Sequence, residues 1–291
     1  MFVFKAAVVG AGVMGGEIAH VIAAAGVPVV LKDVDMKFVD AGLQKAREVT
    51  QGRVAKLVKK GKLSEEDAAA HADRTLALIT GTTDYDEFGD VDFVIEAVPE
   101  KMEIKHAVFA ELDACTPGHA ILASNTSGLS ITEIGDATNR PDKVVGFHFF
   151  WPASYMRLIE VIEGEDTSPE TAQAAANFAQ AIRKTAVRCH ECPGFVVNRI
   201  LVSTASEIWR YQDETGIDVE ELDKFITEKA QMPMGPFRVA DMSGLDTVVK
   251  VARDMRDAYG DRFYVHRGMQ EKVERGELGA KSGKGFYEHG S

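Results

Sequence analysis

Two groups of residues in this sequence have types and spacings suited to chemistry. Gly10, Gly12 and Gly15 spell G-x-G-x-x-G between a short apolar run and a helical pattern of small residues. In such a turn the backbone amides, with those of Val13 and Met14 at the helix start, face a pyrophosphate at the positive end of the helix dipole. Asp33 ends the next apolar run, 18 residues after Gly15. A carboxylate there accepts hydrogen bonds from an adenosine ribose diol and repels a 2′-phosphate, which selects NAD over NADP. FAD or S-adenosylmethionine can occupy the same turn, and a bare strand-to-helix turn with a solvated aspartate is the plainest alternative.

The second group is His148 and Glu160, in the apolar runs VVGFHFF (144–150) and RLIEVIE (157–163). Only residues 151–156 separate those runs, too few for a crossover helix, so an antiparallel hairpin is expected. With the turn centred on Ser154, Phe150 faces Leu158 and His148 faces Glu160, both side chains of the latter pair on one face of the sheet. The carboxylate can then hold one ring nitrogen while the other takes a proton, which makes the imidazole a general base toward a substrate hydroxyl. A purely structural cross-strand pair is the alternative. Beside a dinucleotide turn the catalytic reading gains, because oxidising a secondary alcohol needs both a hydride acceptor and a base.

These residues need elements to position them. Residues 5–33 read as a βαβ unit, with Gly26 and Pro28 marking the helix end. Residues 36–61 carry apolar side chains at helical spacing, one surface helix or a helical pair. Further strand-like runs at 76–80, 91–98 and 120–124, separated by helical patterns, argue for an open parallel sheet covered by helices. A helix over 168–184 follows, with Ser168 as N-cap and Pro169 at its first position. Beyond it the composition changes to helical patterns at 195–213, 218–230, 236–258 and 261–276. The fold class is therefore α/β: a Rossmann-type, mostly parallel sheet ending in an antiparallel hairpin over 1–187, then an all-α domain over 188–291, the boundary lying near 186–192.

Composition bounds the partners. The 291 residues sit at the upper limit of one core and suit two domains, and a 45% hydrophobic, 27% charged chain is neither disordered nor fibrous. A net charge of −12 disfavours nucleic acid and anionic membranes. No apolar run approaches the ~20 residues that span a bilayer, and a strand-like run begins close to Met1, so no cleaved signal and a cytoplasmic location are expected. Cys115, Cys189 and Cys192 form no disulfide framework, and CHEC at 189–192 has too few well-spaced ligands for a metal site, so none is assigned.

In order and spacing, SNTSGLSI (124–131), GFHFF (146–150), RLIEVI (157–162), PGFVVNR (193–199), PMGPF (233–237) and AKSGKGFY (280–287) resemble the short-chain L-3-hydroxyacyl-CoA dehydrogenase family, over nearly the whole chain. The resemblance implies that His148 is the catalytic base and Glu160 its partner, that Ser127 hydrogen-bonds the reacting oxygen, and that Asn198 positions substrate and histidine. It adds Ala97, Glu100, Lys105, Ser127 and Lys281 to the NAD site. It also implies an acyl-CoA substrate, a basic residue for CoA on the helix after Asp33 (Lys56 or Lys59), and a homodimer formed through the helical domain. From the residues alone, Ser127 and Asn198 read as caps and Lys105 and Lys281 as solvated charges. Trp151 stands where the family commonly has asparagine beside the nicotinamide. Two other readings remain: a free sugar-acid dehydrogenase similar to the L-gulonate 3-dehydrogenases, and an NAD-binding structural, crystallin-like or regulatory protein with Trp151 blocking the nicotinamide pocket.

Overall fold

The apolar runs of the first half assemble into one eight-stranded sheet, seen in a computed structural model that describes residues 2–290. Its strands are β1 (Ala6–Val9), β2 (Val29–Lys32), β3 (Ile79–Thr82), β4 (Phe93–Glu96), β5 (Ile121–Ser124), β6 (Val144–Phe149), β7 (Leu158–Glu163) and β8 (Thr185–His190). They lie in the order β3-β2-β1-β4-β5-β6-β7-β8, and every neighbouring pair is parallel except β6 and β7. β1, β2, β4 and β5 are buried along their whole length, the state of parallel strands covered on both faces. Between them run α1 (Val13–Ala23), α2 (Met36–Lys59), α3 (Glu65–Leu76), α4 (Met102–Cys115), α5 (Ile131–Gly135) and α6 (Pro169–Ala181).

The sequence expectation differs from this architecture in three places. The expected surface helix over 36–61 is the single helix α2, Met36–Lys59, and α3 follows it where no element was expected. Ser64 caps α3 by accepting from the Asp67 amide at 3.0 Å, and Ala68, Ala72 and Thr75 are buried at helical spacing. The apolar LALIT run therefore divides, Leu76 closing the helix and only Ile79 and Thr80 entering β3. At the far edge, the short apolar run AVRC (186–189), to which no element was assigned, belongs to β8, which pairs in parallel with β7 across six residues. The first compact unit ends at Cys192.

The second unit, Pro193–Ser291, is helical. It contains α7 (Val197–Thr215), α8 (Val219–Lys229), α9 (Pro236–Ser243), α10 (Leu245–Tyr259) and α11 (Arg267–Glu274). The single helix expected over 236–258 is two helices, because Gly244 takes a φ of 90° between them. Trp209, Leu222, Phe237, Leu245, Val249 and Met269 form its core. Two buried carboxylates fasten its C-terminal tail. Asp241 accepts from the amides of Phe286 and Tyr287 and from His289, while Asp223 accepts from the amides of Phe237 and Arg238 and from the Tyr287 hydroxyl. Among the described residues, no helix is long and apolar enough to cross a membrane.

Candidate active site

The three glycines divide the work of a dinucleotide turn. Gly10 closes β1 with a φ of 101°, and a Cβ there would come within 2.6 Å of the Ala97 carbonyl. A Cβ on Gly15 would overlap the Gly10 carbonyl oxygen, whereas one on Gly12 would meet open space. The turn is thus tight at its first glycine, open at the second and closely packed against the strand at the third. Gly12 caps α1 without a side-chain hydrogen bond, and Val13 lies exposed and Met14 half-buried in the first helical turn. The amides of this N-terminus therefore face an accessible cradle.

Asp33 Oδ2 accepts the Ala11 amide and Oδ1 the Val34 amide, both at 2.7 Å. The carboxylate so fixes the glycine turn against the end of β2. An ionised carboxylate has about four acceptor positions, so capacity remains for a ribose diol. On these observations the residues present fit a dinucleotide.

Three strands along the sheet from β1, the antiparallel pair β6–β7 sets His148 directly opposite Glu160. His148 Nδ1 lies 2.8 Å from Glu160 Oε2; Glu160 is fully buried and His148 5% exposed. A carboxylate only accepts, so Nδ1 carries the proton and Nε2 is the nitrogen with the lone pair. Burying a carboxylate costs several kcal/mol unless it is paired, which makes the imidazole an electrostatic as well as a geometric partner. β5 stops at Ser124 while β6 continues to Phe149, and the Asn125 side-chain carbonyl takes up the Phe149 amide at 2.8 Å. The residue after β5 is thereby tied to the strand that carries His148.

The SNTS loop rests on a charged cluster. Glu96, fully buried at the end of β4, accepts from Lys105 Nζ at 2.8 and 2.9 Å, from Ser124 Oγ at 2.6 Å and from the Val98 amide at 2.7 Å. Glu100 Oε1 accepts from Thr126 Oγ1 and from the Ser127 amide at 2.9 Å, and its Oε2 lies 3.2 Å from Lys105 Nζ. Lys105 is 1% exposed, so its reading as a solvated surface charge is overturned. Its ammonium faces three carboxylate oxygens, which secure the loop presenting Ser127. The buried position of Lys105 in α4 explains why: a lysine sunk against strand β4 must meet an acid, and Glu96 supplies it.

Trp151 is 54% exposed and opens the segment after β6. Glu17, buried on α1, holds that segment by accepting from the amide and hydroxyl of Ser154, both at 3.0 Å. Lys184 holds it from the other side through the carbonyls of Ala153 and Met156. Burial, reinforced by Arg53, pulls the Lys184 ammonium down to about 8. Lys56 reaches the Tyr155 hydroxyl, while Lys59 lies exposed in the last turn of α2.

Two candidates lie in the helical unit: Asn198 in the first turn of α7, and Lys281, which pairs with Asp246. Sequence reasoning passed over Glu96, Asn125, Glu17 and Lys184. Only Asn125 carried a signal, as the middle of a polar run closing an apolar strand.

Fold and cradle together define a Rossmann-type, NAD-binding protein with an acid–base pair built into its sheet. The chain belongs to the 3-hydroxyacyl-CoA dehydrogenase family: residues 5–192 match its NAD binding domain and residues 194–289 its C-terminal domain. It is 40% identical over 98% of its length to the fatty acid oxidation complex subunit alpha of Acinetobacter baylyi, of which it spans 39%. It is 38% identical to a probable 3-hydroxybutyryl-CoA dehydrogenase of Deinococcus radiodurans, covering 98% of this chain and 100% of that one. The solved (S)-3-hydroxybutyryl-CoA dehydrogenase of Ralstonia eutropha superimposes with a TM-score of 0.89, at 35% identity and 100% coverage of both chains.

Proposed function

We propose that the protein interconverts L-3-hydroxyacyl-CoA and 3-ketoacyl-CoA. The observation that carries this reading is the buried His148–Glu160 pair in the same compact unit as the glycine cradle. In the oxidising direction His148 Nε2 accepts the C3 hydroxyl proton, and Glu160 stabilises the imidazolium that results. Ser127, on the loop braced by Glu100, donates to the reacting oxygen, and Asn198 orients substrate and imidazole. NAD+, when bound, supplies the acceptor for the C3 hydride.

Gly10, Gly12, Val13, Met14, Gly15, Asp33, Ala97, Glu100, Ser127, Trp151 and Lys281 make up the cofactor site in this reading. Lys105 acts through Glu96 and Glu100 as a positioning residue. Lys56, fixed on Tyr155, is favoured over Lys59 for CoA. Ile200, Leu201, Tyr211, Phe225 and Met242 are exposed apolar side chains of the helical unit and support a homodimer through it. A cytoplasmic location is part of this reading. NADH oxidation with acetoacetyl-CoA, compared with L-gulonate in the same assay, tests the reading. Turnover of acetoacetyl-CoA supports it, preference for L-gulonate would replace it, and NAD binding without turnover of either would leave a binding protein.

A further inference from the structure

A cavity of about 280 Å³ in the first unit is lined by Arg53 on α2, by Ser154, Tyr155 and Arg157 before β7, and by Arg183 and Lys184 in the turn between α6 and β8. Four cations converge on it in a chain whose net charge is −12. Arg53, Arg157 and Arg183 are exposed, and none enters a side-chain hydrogen bond or ion pair with another described residue. The nearby Glu17 carboxylate accepts from Ser154, lies 3.7 Å from Lys45 and offsets part of the Lys184 charge. Among the described residues the three arginines stay without a paired acid, and cations crowded together repel one another, so their arrangement suits a multiply charged anion.

The backbone adds a second observation. Arg183 has a φ of 62° and closes α6, its amide bonding the Gln180 carbonyl at 2.9 Å while the Lys184 amide reaches Ala179 at 2.8 Å. Glycine is the ordinary residue at such a left-handed helix end, and a side chain there is strained. The residue that takes this conformation here is an arginine lining the cavity.

We propose that this cavity binds the 3′-phosphate of the acyl-CoA substrate. The inference rests on the acyl-CoA reading and deepens it. A phosphomonoester carries nearly two charges at neutral pH, and arginines bind it through paired, charge-assisted hydrogen bonds. Lys56, on the Tyr155 that lines the cavity, then lies beside it for the remaining phosphates of the same ligand.

The test compares kcat/KM for acetoacetyl-CoA and acetoacetyl-dephospho-CoA, which lacks only that phosphate, in wild type and in Arg157→Gln and Arg183→Gln. Calorimetric titration with adenosine 3′,5′-bisphosphate and with inorganic phosphate accompanies it. Wild type is expected to favour the 3′-phosphorylated substrate at least about tenfold, the loss expected for one charge-assisted hydrogen bond. Each variant should bring the ratio toward one and weaken the bisphosphate by a similar factor. The wild-type comparison needs no variant to fold, and Arg157→Lys, which keeps the charge, should restore part of the ratio. A wild-type ratio near one, or one that both variants leave unchanged, overturns the proposal while acetoacetyl-CoA turnover keeps the dehydrogenase reading. Equal binding of inorganic phosphate and bisphosphate overturns it as well, leaving a free-anion site. Bisphosphate binding that the variants abolish, without turnover of either thioester, upholds the phosphate site and removes the dehydrogenase reading.

Discussion

Lys105 Nζ lies 2.8 Å from Glu96 Oε1, both side chains essentially inaccessible to solvent, at the base of the loop that presents Ser127. A buried pair of this kind adds little net stability, but breaking it strands one charge. Lys105→Met and Glu96→Gln should each lower unfolding stability by about 3–5 kcal/mol if the remaining partner stays charged, and the double variant should lose less than the two single losses combined. Urea denaturation of all four proteins checks this; additive losses would show that the two groups do not act as a pair.

Glu160 fixes which ring nitrogen of His148 bears a proton. Glu160→Gln keeps the shape, removes the negative charge that stabilises the imidazolium, and permits the other tautomer. The expected result is a fall in kcat of about 10²–10⁴, with KM for acetoacetyl-CoA changed far less. Steady-state kinetics would contradict this if the loss appeared in KM alone.

Asp33 has two tasks, bracing the Ala11 amide and excluding a 2′-phosphate. Asp33→Ser should raise KM for NADH and reduce the preference for NADH over NADPH by at least about tenfold. Parallel assays with both nucleotides measure the ratio, and an unchanged ratio would show that selection lies elsewhere.

His20 gives the fold a pH dependence of its own. Thr50 donates its hydroxyl proton to the Ala46 carbonyl, so His20 Nδ1 must donate to Thr50, and Nε2 reaches no partner among the described residues. Burial, with Arg53 and Lys184 adding repulsion, pulls the imidazole down from 6.5 to about 4. Between those values the unfolded chain binds a proton that the folded chain does not. The stabilisation is therefore fully present above pH 6.5 and is lost as pH falls toward 4, on the order of 3 kcal/mol. Urea midpoints for wild type and His20→Gln should diverge across that window, wild type losing more as pH drops. Parallel pH profiles would contradict the assignment.

Much of the site was legible because it lies in local pattern. The glycine turn, Asp33 and the His148–Glu160 register each follow from spacing within one strand–turn–strand or strand–turn–helix segment, and the structure pairs His148 with Glu160 as the turn centred on Ser154 requires. Residues whose partners are distant in sequence were not legible. Nothing near Lys105 marks it as buried, since its fate depends on β4 lying beneath α4. Glu17 and Lys184 meet residues 153–156 only because α1 and the α6 turn flank that segment. β8 escaped because an edge strand with mostly exposed side chains lacks the apolar pattern that marks an inner strand.

In the proposed reaction His148 is the base. His148→Ala should retain NADH binding, measured by fluorescence titration, while kcat for acetoacetyl-CoA reduction falls at least about 100-fold. Full turnover by that variant would show that His148 is not the base.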